Sequence, residues 1–210
     1  MSSVKLVHVT PEAEKHIVYC ARVSSENQEN TEIARLIKYC IDNGHWSIFE
    51  MASMCLEIKT SRAIAAQILR HKSFSFQEFS QRYSSVQRAE YTIPRKQAEK
   101  NRQSSVEFTD KSEFAQYATI IHKSIERSFN AYDQLIECGV AKECARMVLP
   151  LASQTKLYMH GTLRSWIHYF LLRTQEETQL EHREIAKEAF ELFKNLFPII
   201  SIALGDKYGR

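Results

Sequence analysis

Between Arg70 and Ser84 the chain reads RHKSFSFQEFSQRYS, and most of the ligand-capable side chains of its middle are gathered there. Three positive charges (Arg70, Lys72, Arg82), one carboxylate (Glu78), four hydroxyls (Ser73, Ser75, Ser80, Ser84) and three phenylalanines fall within fifteen residues. A cationic cluster walled by Phe74, Phe76 and Phe79 suits a ligand with phosphates at one end and a flat ring at the other. Ser80-Gln81-Arg82 adds a hydroxyl, a guanidinium and backbone N–H groups, an inventory for phosphate if the segment curves. Bland readings stand beside these. Arg70-His71-Lys72 at a helix end can simply complement the helix dipole in water, and the tripeptide at 80–82 can be an ordinary surface turn. Gln67 on the same helical face and the aromatic residues that follow weigh against the first; nothing in the tripeptide alone decides the second.

Three further arginines, Arg146, Arg164 and Arg173, stand in apolar surroundings (CARMVLP, LRSWIHYF, FLLRTQ). Arginine is rarely buried without a partner, so each calls for an anion of the chain or of a ligand. Arg164 and His168 are neighbours at i, i+4, whereas Arg173 leaves the opposite side of the same helix with Trp166 and Phe170. Such a helix separates two pockets, or a pocket from a subunit contact. Other chemistries find little support. No Gly-x-Ser-x-Gly or HExxH occurs, and the eight histidines lack metal-ligand spacing, so no metal is expected. The five cysteines are scattered without a CxxC pair and read as free thiols, Cys144 as a packed one. With five glycines and neither GxGxxG nor GxxxxGK[ST], any nucleotide is bound without those glycine-rich devices.

The elements that must position these residues follow from periodicity. Val4–Val9 and Met51–Lys59 alternate as strands, and Thr155–His160 reads as a third. Helices are expected at Glu12–Arg22 capped by Thr10, Thr31–Asp42 stopped by Asn43-Gly44, and Arg62 to about His71 capped by Thr60-Ser61. Further helices are expected at Ser112–Cys138 stopped by Gly139, Ala141–Val148, Leu163–Arg173, and Thr178–Phe197 bounded by Pro198 with a short tail. The basic stretch 86–110 has no periodicity and reads as a long loop. Helices surrounding a small, mostly antiparallel sheet make an α+β fold, expected as one domain over residues 1–210.

Composition narrows the class. Of 210 residues, 44% are hydrophobic and 25% charged, ordinary for a soluble globular protein. A net charge of +3 argues against nucleic acid as a partner, although the loop Arg88–Arg102 is basic. No apolar run approaches the ~20 residues of a membrane span, and MSSVKLVHV lacks signal-peptide organisation, so a cytoplasmic location is expected.

Arg70-His71-Lys72 followed by Ser80-Gln81-Arg82-Tyr83-Ser84 resembles the paired motif of the flavin-dependent thymidylate synthases: R-H-R, a spacer, then S followed closely by R-Y-S. The resemblance extends over most of the chain, through Ala21-Arg22-Val23-Ser24, the His45–Glu50 junction, Ala145-Arg146 with Leu149-Pro150-Leu151, and Arg173 followed by Gln179 and Glu181. It implies a homotetramer with FAD between subunits, methylating dUMP to dTMP with methylenetetrahydrofolate as carbon donor and NADPH as reductant, without a cysteine nucleophile. It implies dUMP contacts at Gln67, Arg70, Glu78, Ser80, Gln81, Arg82, Arg146 and Arg173. It implies FAD contacts at Ser24, Ser47, Arg70, His71, Lys72, Glu78, Arg164 and His168, and catalytic roles for Arg173, Ser80 and His45. Lys72, Thr162 and Glu177 depart from residues common in the family, and these departures bear on FAD binding. A flavoprotein acting on another nucleotide is the alternative.

Overall fold

The computed structural model describes residues 2–86 and 89–205. Four strands form one sheet in the order β1-β2-β6-β3: β1 (Ser3–Val9), β2 (Ser53–Ser61), β3 (Ser75–Glu78) and β6 (Gln154–Thr162). Thr10 N donates to Ser53 O (3.0 Å), Arg62 N to Ser153 O (2.9 Å), Leu163 N to Ala52 O (2.9 Å) and Phe79 N to Lys156 O (2.8 Å). In each bond the end of one strand meets the start of its neighbour, so the sheet is antiparallel. Along β2 and β6 every second residue is buried: Met54, Leu56, Ile58 and Thr60 on one, Thr155, Leu157, Met159 and Gly161 on the other. This period of two identifies one face of the sheet as core.

Eight helices occur among the described residues: α1 (Ala13–Ala21), α2 (Ile33–Asp42), α3 (Arg62–Ile68), α4 (Lys111–Glu137), α5 (Lys142–Ala145), α6 (Leu163–Arg173), α7 (Leu180–Leu196) and α8 (Pro198–Leu204). None is long and apolar enough to cross a membrane. The chain divides into two compact units. One comprises Ser3–Ile58, Leu69–Gln77 and residues 158–205. Its core is a run of rings, Trp166 on Phe170, Phe170 on Phe193 and Phe193 on Phe197, with α6 against α7 and α8 against α2. The other comprises Ser2, Lys59–Ile68 and the described residues of Glu78–Leu157, and its smaller core includes Ile64, Ile68, Val86, Tyr132 and Leu157.

The expected elements are present, with instructive differences at their ends. Thr10 does not cap α1, because its hydroxyl accepts from Ser53 N (3.0 Å) and ties β1 to β2. Glu12 takes the cap position instead, in the left-handed region at φ 49°. Helix α3 ends at Ile68, so Arg70 and His71 lie on the turn that follows it rather than on its face. The chain leaves the helix there to bury Phe74. Pro198 does not merely end α7: proline suits the first turn of a helix, and it begins α8, whose Ile200 and Leu204 are buried. The stretch read as a structureless loop carries a two-residue ladder, β4 (Lys96–Gln97) paired with β5 (Ser105–Val106); its Arg88 lies outside the described residues. Asp110 caps α4 by accepting from Ser112 N (2.7 Å) and Glu113 N (3.3 Å), and Gly139, at φ 81°, takes the left-handed turn after it.

Candidate active site

In the unit built on α6 and α7, the candidate residues gather on two sides of α6. Thr162 starts that helix, its hydroxyl accepting from Ser165 N (3.3 Å), while Ser165 Oγ donates to Ser73 O (3.1 Å) and ties the segment after His71 to it. On one side Arg164 pairs with Glu50, and the ring of His168 lies 5.2 Å from that of Trp46. Burial, then the Arg164 guanidinium, lowers the pKa of His168, favouring a neutral ring. Trp46 and Ser47 belong to a 3₁₀ turn, Trp46–Glu50, and His45 just before it is exposed, its ring edge-on to Tyr39 at 5.7 Å.

On the other side stands Arg173. Its Nε donates to His71 Nε2 (2.9 Å), and among the described residues no carboxylate pairs with it. The His71 ring lies edge-on to Tyr169 (5.0 Å), and Tyr169 Oη is hydrogen-bonded to His182 Nε2 (3.1 Å). Burial first, then Arg173, pushes the pKa of His71 down to about 4. The same causes, with His71 added, push that of His182 down to about 3. Both rings are therefore neutral near pH 7. Arg70 and Lys72 occupy exposed turn positions beside His71, and Ser24 stands apart in the exposed turns after α1, bonded to none of these residues.

In the other unit Glu78 is engaged within the chain: its Oε1 receives Arg62 Nη1 (2.9 Å) and Thr155 Oγ1 (2.9 Å), while Arg62 Nη2 donates to Phe79 O (2.7 Å). Ser80, Arg82 and Tyr83 line a cleft of about 430 Å³ with Ala141, Lys142 and Glu143. There Arg82 pairs with Glu143 (3.0 Å), and Lys142 Nζ donates to Tyr83 O (3.1 Å). Gln67 and Gln81 are half-buried, on α3 and on the turn after Ser80. Among the described residues the buried Nε of Arg146 has no hydrogen-bond partner, so the anion its apolar surroundings call for is left to a ligand.

Two readings of the residues change. Phe74 is a core residue, 8% exposed and packed edge-on against Trp166 (4.9 Å), not a ligand wall. Cys144 is exposed rather than packed. Within the chain Arg173 meets a neutral acceptor, His71, so the anion that its surroundings call for is left to a ligand. Sequence reasoning missed Arg62, Lys142, Tyr169 and His182. Arg62 read as a helix start, and the signal for Lys142 was its place in the run KECAR, four residues before Arg146. Tyr169 and His182 stand on different helices with no shared spacing.

The same fold is found in the UMP/dUMP methylase PolB from Streptomyces cacaoi, whose structures bound with 5-Br dUMP and 5-Br UMP superpose at TM-scores of 0.85 and 0.88. Identity is 25% in each, over 100% and 99% of this chain and 98% and 95% of those chains. A flavin-dependent thymidylate synthase of Synechocystis sp. is 52% identical over 188 residues, 90% of this chain and 87% of its own. A probable flavin-dependent thymidylate synthase of Paramecium bursaria Chlorella virus 1 is 49% identical over 215 aligned positions, 96% and 98%. Fold and relatives thus place the chain in the class of nucleotide-modifying enzymes. Residues 5–199 match the family described as thymidylate synthase complementing protein, and the chain belongs to that family, the one of the flavin-dependent thymidylate synthases.

Proposed function

We propose that this protein methylates dUMP to dTMP, taking the carbon from methylenetetrahydrofolate, with FAD bound and NADPH as reductant. One observation carries the reading: a half-buried guanidinium, Arg173, is anchored at Nε by a neutral imidazole, which leaves its charge and its terminal nitrogens for an anionic partner. A preorganised charge of this kind stabilises negative charge that develops on a uracil ring during reaction at C5. Arg82, Lys142 and the Ser80 hydroxyl line one cleft and supply the donors for the nucleotide phosphate. The family resemblance assigns Gln67, Arg70, Glu78, Gln81 and Arg146 to uridylate as well, and among the described residues the buried Nε of Arg146 has no partner.

The flavin fits the residues present. Arg164 offers a guanidinium to a diphosphate, and Trp46 and His168 offer ring faces to a flat heterocycle. Ser24, His45, Ser47, Arg70, His71, Lys72 and Glu78 are the other residues assigned to it, and Thr162 spends its hydroxyl on the cap of α6. Bound FAD would supply hydride chemistry. The mechanism proposed uses no cysteine nucleophile; of the five thiols, burial raises the pKa of two, Cys40 and Cys55, away from a reactive thiolate. A homotetramer is supported by α4, of whose 27 residues only Ala118 and Tyr132 are buried, leaving apolar side chains such as Tyr117 and Ile120 exposed.

The test is direct. Purified protein supplied with FAD turns yellow, oxidises NADPH faster with dUMP present, and transfers labelled carbon from methylenetetrahydrofolate to dUMP. Transfer to UMP in preference to dUMP would favour the alternative nucleotide, to which the likeness to PolB points. A protein that no flavin colours would refute the reading. Light scattering on the same sample reports the tetramer.

A further inference from the structure

We propose that Tyr169 and His182 are positioning residues: a buried hydrogen-bonded pair that holds the His71 ring in the one orientation in which its Nε2 anchors Arg173. The role assigned to Arg173 rests on the function proposed above; the geometry does not. Tyr169 is 2% exposed and His182 is 0% exposed. Their bond is 3.1 Å long, and both are buried in a core in which the Tyr169 ring packs against Trp166, Phe170 and Phe74. A buried polar pair in such a core adds little net stability over a hydrocarbon pair of the same volume, but it admits fewer orientations. The orientation it fixes is that of the Tyr169 ring. The ring lies edge-on to His71 at 5.0 Å and 76°, and Phe74 meets His71 at right angles from 6.3 Å. The His182 ring stands 6.3 Å from His71 at 83°. His71 is thus boxed by Tyr169, His182 and Phe74.

The bond from Arg173 requires a lone pair on His71 Nε2, hence a neutral ring with its proton on Nδ1. The half-buried setting supplies that state, since burial, then the Arg173 guanidinium, lowers the pKa of His71 to about 4. From His182 to Arg173 the order is therefore hydroxyl to imidazole, ring edge to imidazole, imidazole to guanidinium. A slack first link lets the His71 ring turn, and Arg173 loses the acceptor that aims it. A pair that only filled the core would affect stability and nothing else.

The experiment compares Tyr169→Phe, His182→Leu and His182→Gln in the full chain with flavin bound. Tyr169→Phe removes one oxygen and leaves the ring. Misplacing a charge by a fraction of an ångström is expected to lower kcat about tenfold or more in Tyr169→Phe and His182→Leu, with the KM for dUMP within about twofold. His182→Gln, whose side-chain amide can both donate to and accept from the tyrosine hydroxyl, restores most of kcat. Proton–nitrogen spectra of the imidazoles provide a readout that does not depend on turnover: His71 Nε2 is expected as an unprotonated acceptor in the native protein and as an averaged, broadened signal in the two disrupting variants. A lowered melting temperature with kcat intact in soluble Tyr169→Phe would overturn the proposal, as would a proton on His71 Nε2 in the native protein. If Arg173→Ala keeps its turnover, the function assigned to Arg173 fails, and the spectra alone then decide whether Tyr169 and His182 hold His71.

Discussion

Arg173 donates from Nε to Nε2 of His71 across 2.9 Å, so a permanently charged group is fixed by a neutral one. A carboxylate in place of His71 would hold the guanidinium as firmly but would cancel its field. An imidazole gives direction and leaves the charge uncompensated, which a site for an anionic ring requires.

The first prediction follows from that pairing. Arg173→Ala should lower dUMP-dependent turnover by about a hundredfold or more, the scale seen when one preorganised donor is removed. The visible flavin spectrum should stay unchanged. Arg173→Lys should not restore the rate, because a lysine has no Nε–H to meet His71 while pointing further donors elsewhere. Steady-state kinetics on flavin-loaded protein decide it, and near-native turnover in either variant would remove Arg173 from the mechanism.

Acid sensitivity follows from the same cluster. His71 and His182 have folded pKa values of about 4 and about 3 against an ordinary 6.5. Between those values the unfolded chain binds more protons than the folded one, so stability rises with pH across this window. The contribution is complete above pH 6.5, declines as pH falls, and is gone below about 3. Urea midpoints should therefore be level from pH 7 to 8 as far as these groups act and should fall between pH 6.5 and 4. In His182→Leu the fall should be shallower. An unchanged slope in that variant would show that His182 is not the titrating group.

Much of this was legible in the sequence, and the reasons differ by scale. Periodicity located β2, β6 and every long helix, because a period of two or of three to four survives in any chain that buries one face. Residues 163–173 were bounded correctly because Thr162 and Ser165 are a local cap. The separation of Arg164 and His168 from Arg173 across α6 also followed from helical spacing. Phe74 was misread because its burial depends on Gly161 and Trp166, which lie far along the chain, whereas its local company is polar. The contacts of Glu78 with Arg62 and Thr155, and of Tyr169 with His182, join residues from separate elements, and a single sequence carries no sign of such pairings.

Gly161 gives a test of the packing that carries His71. A Cβ built there would stand 2.5 Å from Cδ1 and 2.6 Å from Cε1 of Phe74, inside any tolerable contact. Phe74 is in turn edge-packed on Trp166 and Tyr169, so its ring cannot swing aside freely. Gly161→Ala should cost about 1–3 kcal/mol, the range for overpacking a filled site. Adding Phe74→Leu should recover part of that loss, a non-additivity expected of residues in contact. Melting temperatures of the two single variants and the double variant measure it; strictly additive losses would mean that the clash is relieved elsewhere.

The surface pair Arg82–Glu143 invites a prediction of opposite sign. Its side chains are 65% and 55% exposed, so the pair adds little to stability, about 0–1 kcal/mol. Glu143 nevertheless occupies the cleft in which Arg82, Lys142 and Ser80 would meet a phosphate, and an arriving dianion must displace it. Replacing Glu143 by Gln keeps the shape and removes the competing charge. The KM for dUMP should fall by about two- to fivefold, since freeing up to about 1 kcal/mol changes an equilibrium by that factor, while the melting temperature hardly moves. The gain should shrink as salt rises, because exposed charges are screened over about 8 Å at physiological ionic strength. Arg82→Ala should act in the other direction and raise KM sharply. If Glu143→Gln leaves KM unchanged at low salt, Arg82 does not meet the phosphate in this cleft, and the cationic work falls to Arg146, whose buried Nε has no partner among the described residues.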